Sequence, residues 1–462
     1  MGCSVEETDS NDTTQTIMDD EEVFMRGLTG GLKTLVLLKK AKKRALNNEN
    51  EKVIIFTYGS SFGNGVRITM NRYNLSNLSV SAFHSWIAEL YKQTFREQYK
   101  LITDDEKRSL IKHAISFTEI NEQFTTSEEY IDFLEKEFAF IKNMRIRTMP
   151  EYASVCRDWE NSKAPSIDKD KRLIFAAFRN YEILKKTNSD YEDFVHRLLE
   201  RKDHISENMK FDHIFIDEAE DFQINEILLL KKYARKTITI AGDKSLGIND
   251  TTFSWNAVGL STQGKRMKIL MQSYRSTKQI MELAISLQRH DPITKDEEYV
   301  LPVLPERTGS KPVLRKFDDE ERHDEFIIAM VNEIIVNSPA ATVGILYRSS
   351  RKWRHRLGKA LERKKIPYTD VQAKEDFNPF SPGVKLSSFH SSKGLEFDVV
   401  LLIDLLEPTA LPTEEGTSGF WDVERRLLYV AMTRAKSLLY MLTYEKENRL
   451  LLELDDSLYD IQ

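Results

Sequence analysis

Phe211-Asp212-His213-Ile214-Phe215-Ile216-Asp217-Glu218-Ala219-Glu220-Asp221-Phe222 reads as an apolar strand that runs straight into paired carboxylates. A short run rich in β-branched and aromatic residues, bounded by a polar turn, fits a strand covered on both faces. Asp217 and Glu218 then stand at its carboxyl end, where parallel α/β sheets hold their ligands. An exposed acidic turn is the plainer alternative, so the flanking sequence has to decide. Upstream, Lys52-Val53-Ile54-Ile55-Phe56-Thr57 is a second such strand. Downstream, Ile238-Thr239-Ile240-Ala241-Gly242-Asp243 is a third and ends in Gly-Asp. Thr342-Val343-Gly344-Ile345-Leu346-Tyr347, a helix through Leu361 and a strand starting at Ile366-Pro367-Tyr368 predict a strand-helix-strand unit with a right-handed crossover. Glu424-Arg425-Arg426-Leu427-Leu428-Tyr429-Val430-Ala431-Met432-Thr433-Arg434-Ala435-Lys436 places arginines on a helix just before the apolar strand Leu438-Leu439-Tyr440-Met441-Leu442. The pattern predicts an α/β chain with parallel sheets and a nucleotide cleft walled by acids on one side and arginines on the other.

Several of these stretches, in order along most of the chain, resemble the motifs of UvrD/Rep-type superfamily 1 (SF1A) DNA helicases. Asp217-Glu218-Ala219-Glu220-Asp221-Phe222 resembles the Walker B motif, in which Asp217 would hold Mg²⁺ and Glu218 would orient or deprotonate the attacking water. Gly242-Asp243 and Phe253-Ser254-Trp255 resemble motif III, whose aromatic stacks on a DNA base. Ser273-Tyr274-Arg275-Ser276 resembles the motif whose arginine reaches the γ-phosphate, and Arg434 matches the second such arginine. Val384 to Val400, containing Ser388, His390 and Lys393-Gly394-Leu395-Glu396, resembles motif V, which touches the DNA backbone and a ribose. The resemblance implies two RecA-like motor domains of P-loop NTPase fold, ATP and Mg²⁺ as cofactors, and single-stranded DNA as partner. It also implies catalytic roles for Glu218, Asp217, Arg275 and Arg434, and nucleotide contacts for Gly27, Gly30, Gly31, Lys33, Thr34, Glu396 and Gln15, with Thr34 beside Asp217 on the metal. DNA contacts would fall on Tyr58, Phe83, Trp255, Ser388 and His390. For Tyr58 and Phe83, core packing is the competing role.

The match weakens at the phosphate loop. Gly27-Leu28-Thr29-Gly30-Gly31-Leu32-Lys33-Thr34 puts Leu32 where the motif requires a second glycine. A side chain there crowds the close approach of backbone to phosphate, and any need for positive φ would add about 1–3 kcal/mol of strain. At about 1.4 kcal/mol per decade, that predicts a site tenfold to hundredfold weaker. Leu246 replaces the γ-phosphate-sensing glutamine, Glu220 replaces another glutamine, motif Ia reads Thr57-Tyr58-Gly59-Ser60, and Ala82 stands where threonine is usual. Two readings follow: an ATP-driven helicase or translocase with weakened nucleotide binding, or a pseudo-helicase that binds nucleic acid as the scaffold subunit of a repair or phage-defence complex. Arginine fingers are worth about 10³–10⁵ in rate, which favours the first.

Composition adds limits. The 462 residues, 40% hydrophobic and 30% charged, suit a globular chain of several domains. A formal net charge of −6 argues that any nucleic-acid contact comes from a local groove. Basic runs near Lys39–Arg44 and Arg348–Arg356 read as solvated helix faces. Cys3 and Cys156 alone exclude a disulfide framework and suggest a reducing, cytoplasmic setting, and the histidines have no metal-ligand spacing. No apolar run suggests a membrane span, and the acidic start does not read as a signal peptide. The expected organisation is a mobile acidic segment at 1–20, a first RecA-like domain (1A) from 21–85 plus 206–270, and a helical 1B-type insertion at 86–205. A second RecA-like domain (2A) at 271–450 and an acidic tail at 451–462, read as a helix with a frayed end, complete it. About 110 residues between Arg275 and motif V leave little or no room for a 2B domain, whose place a protein partner such as a nuclease could take.

Overall fold

A computed structural model describes residues 24–27, 32–58, 60–95, 101–120, 128–155, 170–186, 188–201, 205–242, 267–270, 276–295, 299, 302–348, 351–372, 378, 380–403, 405–406, 418–444 and 448–462. Within them, β1 (Phe24–Gly27), β2 (Val53–Thr57), β3 (Leu78–Ala82), β4 (Phe211–Ile216), β5 (Ala234–Gly242) and β6 (Met267–Leu270) form one sheet in the order β3-β2-β4-β5-β1-β6. A second sheet joins β7 (Val313–Phe317), β8 (Thr342–Tyr347), β9 (Tyr368–Asp370), β10 (Gly383–Ser388), β11 (Phe397–Leu402), β12 (Ala435–Tyr444) and β13 (Asp460–Ile461) in the order β13-β7-β12-β11-β8-β10-β9. Every strand pair in both sheets is parallel. The chain is therefore an α/β protein built on parallel sheets.

The apolar runs explain the centres of these sheets. Phe56, Ile214, Ile216 and Ile240 pack with helix Phe83–Phe95 on one face of the first sheet, and Ile55 and Phe215 pack with helix Leu32–Asn47 on the other. Burial on both faces demands runs without polar alternation, as β2 and β4 have. In the second sheet β8 is wholly buried, and Val343, Ile345 and Leu401 pack with Trp353, Leu357 and Leu361 of helix Arg351–Arg363.

One expectation needs correction here, at the tail. The unit β8, helix Arg351–Arg363, β9 forms with both strands parallel in one sheet, and β10 lies between them. β10 is buried along Val384–Ser388 and takes the inner position, whereas β9 is half-exposed along its length and suits the edge. The acidic tail is not a frayed helix: it makes 3₁₀ turns at Arg449–Glu453 and Asp456–Leu458, then β13 pairs with β7.

Between β3 and β4 the chain is helical. Helices Asp104–Ile115, Glu128–Asn143, Met149–Ser154 and Lys171–Lys185 enclose their own core around Ile111, Leu134, Phe138, Ile174, Phe178 and Tyr181. Leu90, Tyr91, Phe194 and Leu198, from helices Phe83–Phe95 and Tyr191–Glu200, pack instead into the first sheet's core. Capping boxes at Thr103/Glu106, Thr148/Glu151 and Asp190/Asp193 explain three helix starts. A buried ionic hub ties the helices together: Lys142 meets Asp193 at 2.9 Å and Glu182 at 2.9 Å, and the Tyr181 hydroxyl donates to Asp190 at 2.9 Å. Glu182, Asp190 and Asp193 converge closely, but Lys142 and Lys185 already supply their counter-charge. Among the described residues no helix is long and apolar enough to cross a membrane.

Candidate active site

Three strands of the first sheet bring the predicted groups together. β5 lies between β1 and β4, so the Gly27 end of β1, the Gly242 end of β5 and the Asp217-Glu218 end of β4 share one end of the sheet. Helix Leu32–Asn47 begins after the β1 loop, and Lys33 and Thr34 occupy its first turn. A helix's first turn presents N–H groups that have no intrahelical acceptor and the positive end of the helix dipole, a setting that favours phosphate. Leu32 opens the helix and so has right-handed backbone; the conditional positive-φ strain is not incurred.

Lys33 is buried, and its charge acts on Asp217, whose carboxyl also takes a hydrogen bond from the Thr34 hydroxyl. Asp217 Oδ1 accepts the Glu218 N–H at 3.0 Å, while Oδ2 is buried without a hydrogen-bond partner. Burial raises the Asp217 pKa to about 6, against the pull of Thr34, the Glu218 N–H and Lys33. Glu218 adopts left-handed backbone, φ 53 and ψ 43, which costs a non-glycine residue about 1–2 kcal/mol. Its pKa is pushed up to about 8 by burial and by Asp221, Asp217 and Glu220, with Lys393 opposing. Strain and like-charge crowding at one strand end mark a functional site rather than a stability device.

The 3₁₀ turn Ala219–Asp221 carries two more acids to the same edge. Lys393, from the turn after β10 in the second sheet, reaches across to Asp221 at 2.7 Å and Glu220 at 3.2 Å. Asp221 also has its pKa raised to about 6 by burial and Glu220, against Lys393. Gly242 packs against Glu220, since a Cβ there would lie 3.2 Å from Glu220 Oε2 and 3.3 Å from the Ala219 Cβ. The Lys393 contact escaped the sequence reading; the one visible hint was the unusual acid at position 220.

On the second sheet, Arg434 is buried in helix Ser418–Met432's exit turn. Its guanidinium donates to the Val430 carbonyl at 2.9 Å, the Thr433 hydroxyl at 3.1 Å and the Leu395 carbonyl, next to Glu396. These bonds tie its guanidinium to the end of its own helix and to the turn before β11. The neighbouring arginines are structural: Arg425 forks onto Glu453 at 2.6 and 2.9 Å, and Arg426 onto Asp291 at 2.9 and 3.2 Å. Glu424 in turn holds Arg348.

Among the expected DNA contacts, Phe83 must be reassigned. It is fully buried, with its ring against Phe56, Trp86 and Phe222, and has no face for a base. Tyr58 is half-buried at the end of β2, edge-on to His84 at 4.7 Å and Phe222 at 5.4 Å. Ser388, at the end of β10, is buried and bonded to Ser391 and Gln372, while His390 is exposed in the turn that leads to Lys393. Gln15, Gly30, Gly31, Leu246, Trp255 and Arg275 lie outside the described residues.

Parallel sheets, a lysine and threonine at a helix start, and paired acids at a neighbouring strand end define an α/β protein with a phosphate-type site at one end of its first sheet. Residues 269–381 and 370–446 match the UvrD-like helicase C-terminal domain. A "Probable DNA helicase II homolog" of Mycoplasma capricolum subsp. capricolum is 22% identical over 311 residues, 63% of this chain and 41% of that protein. A "Probable DNA helicase" of Mycoplasma pneumoniae is 21% identical over 406 residues, 81% of this chain and 70% of that protein. The "ATP-dependent DNA helicase srs2" of Schizosaccharomyces pombe is 27% identical over 218 residues, 44% of this chain and 24% of that protein. Against the first and third of these, the chain spans less than half of the relative's length. The second half of the chain is thus similar to the UvrD-like helicase C-terminal domain, and the chain as a whole is similar to proteins named as DNA helicases.

Proposed function

We propose that this chain hydrolyses ATP between two RecA-like lobes and uses the cycle to move along or unwind DNA, with nucleotide binding weakened by Leu32. The lobes are 21–85 plus 206–270 (1A) and 271–450 (2A), 86–205 is a 1B-type insertion, and a 2B domain is vestigial or missing. The observation that carries this reading is the meeting of Lys33 and Thr34, at the start of helix Leu32–Asn47, with Asp217 at the end of β4 beside Glu218.

The donor set suits a hard divalent cation. The Thr34 hydroxyl and a buried carboxylate with an unsatisfied Oδ2 are oxygen ligands, and an incoming cation would offset the desolvation that now holds Asp217 partly protonated. Bound Mg²⁺ would neutralise charge on the phosphates. Lys33 supplies a positive charge in the helix's first turn, and it would hold the nucleotide's terminal phosphates with the backbone N–H groups of that turn. Glu218 takes the proton of the water that attacks the γ-phosphorus; a base with pKa near neutrality suits that transfer. Arg434 becomes a phosphate ligand by exchanging its bonds to Val430 and Thr433, and Arg275 is its proposed companion. Single-stranded DNA would cross the same edge of the two sheets, past Tyr58, Ser388 and His390, with Trp255 as its proposed stacking partner.

Phosphate release from Mg-ATP, with and without a single-stranded oligonucleotide, tests this against Glu218→Gln. The expected outcome is DNA-stimulated turnover that falls at least about 100-fold in the variant. Equal backgrounds in both proteins, together with retained oligonucleotide binding, would instead support a nucleic-acid-binding scaffold.

A further inference from the structure

Asp217, Glu218, Glu220 and Asp221 crowd four carboxyl groups into a single turn at the end of β4. Lys33 approaches them from their own sheet, and Lys393 from the other. The Lys393 side chain is only 9% exposed, and its partners Glu220 and Asp221 are 3% and 9% exposed. A pair so dry is screened little by salt, and stripping one partner leaves the other's charge buried and uncompensated. The turn that presents Lys393 is itself fixed. Its N–H donates to the His390 carbonyl at 3.2 Å, the Leu395 N–H donates to the Ser392 carbonyl at 2.9 Å, and Gly394 at φ +75 reverses the chain at once. On the acidic side, Glu220 is wedged against Gly242 at the end of β5. A continuous path of contacts thus runs from β5 through Glu220 and Lys393 to the turn after β10.

We propose that Lys393 is a positioning residue: seated on Glu220 and Asp221, it sets the closed spacing of the two sheets before any nucleotide arrives. It thereby fixes how far the second sheet's groups stand from Asp217 and Glu218. The glutamate at position 220 doubles the charge available to Lys393 where a glutamine would leave Asp221 alone. The proposal rests on the cleft reading of the preceding subsection, but its test needs no hydrolysis.

Spin labels at Leu46 and Val336, which are 56% and 67% exposed on the first and second sheets' helices, report the spacing in full-length protein with Cys3 and Cys156 replaced by serine. Double electron–electron resonance without nucleotide should give one narrow distance distribution for the parent protein. Lys393→Met should shift the open-to-closed ratio at least about tenfold, equivalent to about 1.4 kcal/mol. Lys393→Arg should restore the narrow distribution, and Glu220→Gln should fall between. If Lys393→Met does not fold, the double variant Glu220→Gln/Asp221→Asn removes the pair from the other side and should open the cleft likewise. A folded Lys393→Met or double variant whose distances superimpose on the parent's overturns the proposal, as does failure of arginine to rescue. Loss of the hydrolysis reading alone would leave these distances as predicted, so the two failures are distinguishable.

Discussion

Leu32 and Glu220 both depart from the family pattern, and each has a testable consequence. Leu32 is the first residue of a regular helix, so no positive-φ strain attaches to it and the proposed weakening rests on side-chain bulk alone. Leu32→Gly should therefore tighten Mg-nucleotide binding by about tenfold, measured by titration calorimetry, while lowering stability by no more than about 1 kcal/mol. Unchanged affinity would clear Leu32 of blame for a weak site. Trp255→Ala should cost about 1–3 kcal/mol of single-strand affinity with little change in melting temperature, as a base-stacking face requires; a large drop in Tm would make Trp255 a core residue. The contrast between Phe83 and Lys393 marks what local sequence can carry. The Asp217-Glu218 end was legible because an apolar run and its acidic stop are contiguous. Phe83 has the same residue type as a stacking aromatic, and only its complete burial assigns it to the core. The Lys393–Asp221 bond joins residues 172 positions apart, and no local pattern encodes that.

Elements were legible where burial on both faces wrote an unbroken apolar run, as in β2, β4 and β8. The order within a sheet is set by position rather than composition, as where β10 lies between β8 and β9, and the acidic tail was misjudged for that reason, since it closes an edge as β13. Helix Ile224–Tyr233 carries a testable case of an element held by a proton. At its start Glu226 is buried, and its Oε2 accepts the Gln223 N–H at 2.8 Å. Burial lifts its pKa to about 8, with the Gln223 N–H opposing and Glu192 and Asp221 adding. The folded state therefore keeps a proton that the unfolded chain loses near pH 4.5. Its contribution to stability is fully present below that pH and is lost as pH rises through about 8. Glu226→Gln, neutral at every pH, should flatten the fall of Tm between pH 6 and 8.5, the difference amounting to at most about 1.4 kcal/mol per pH unit. Parallel Tm–pH curves for the two proteins would show that Glu226 ionises normally.

The molecule as a whole is held by separate cores: two flank the first sheet, two flank the second, and the helices between β3 and β4 enclose their own. Such an arrangement predicts unfolding in more than one step, because losing the helical core does not by itself expose either sheet. The ionic hub offers a way to strike one unit. Lys142 is 6% exposed and serves Glu182, Asp190 and Asp193 at once, so Lys142→Met leaves buried carboxylates with Lys185 as a remaining cation. Breaking one side of a buried pair costs about 3–5 kcal/mol. Hydrogen exchange read by mass spectrometry should show that loss in peptides from Asp104–Ile115, Glu128–Asn143 and Lys171–Lys185, with β4, β8 and β11 protected as before. Helix Tyr191–Glu200 is the informative border, since Asp190 and Asp193 belong to the hub while Phe194 and Leu198 belong to the first sheet's core. Its amide protection should fall at the capping end and hold at the other. Deprotection spreading evenly through both sheets would mean one cooperative unit and would refute the division into independent cores.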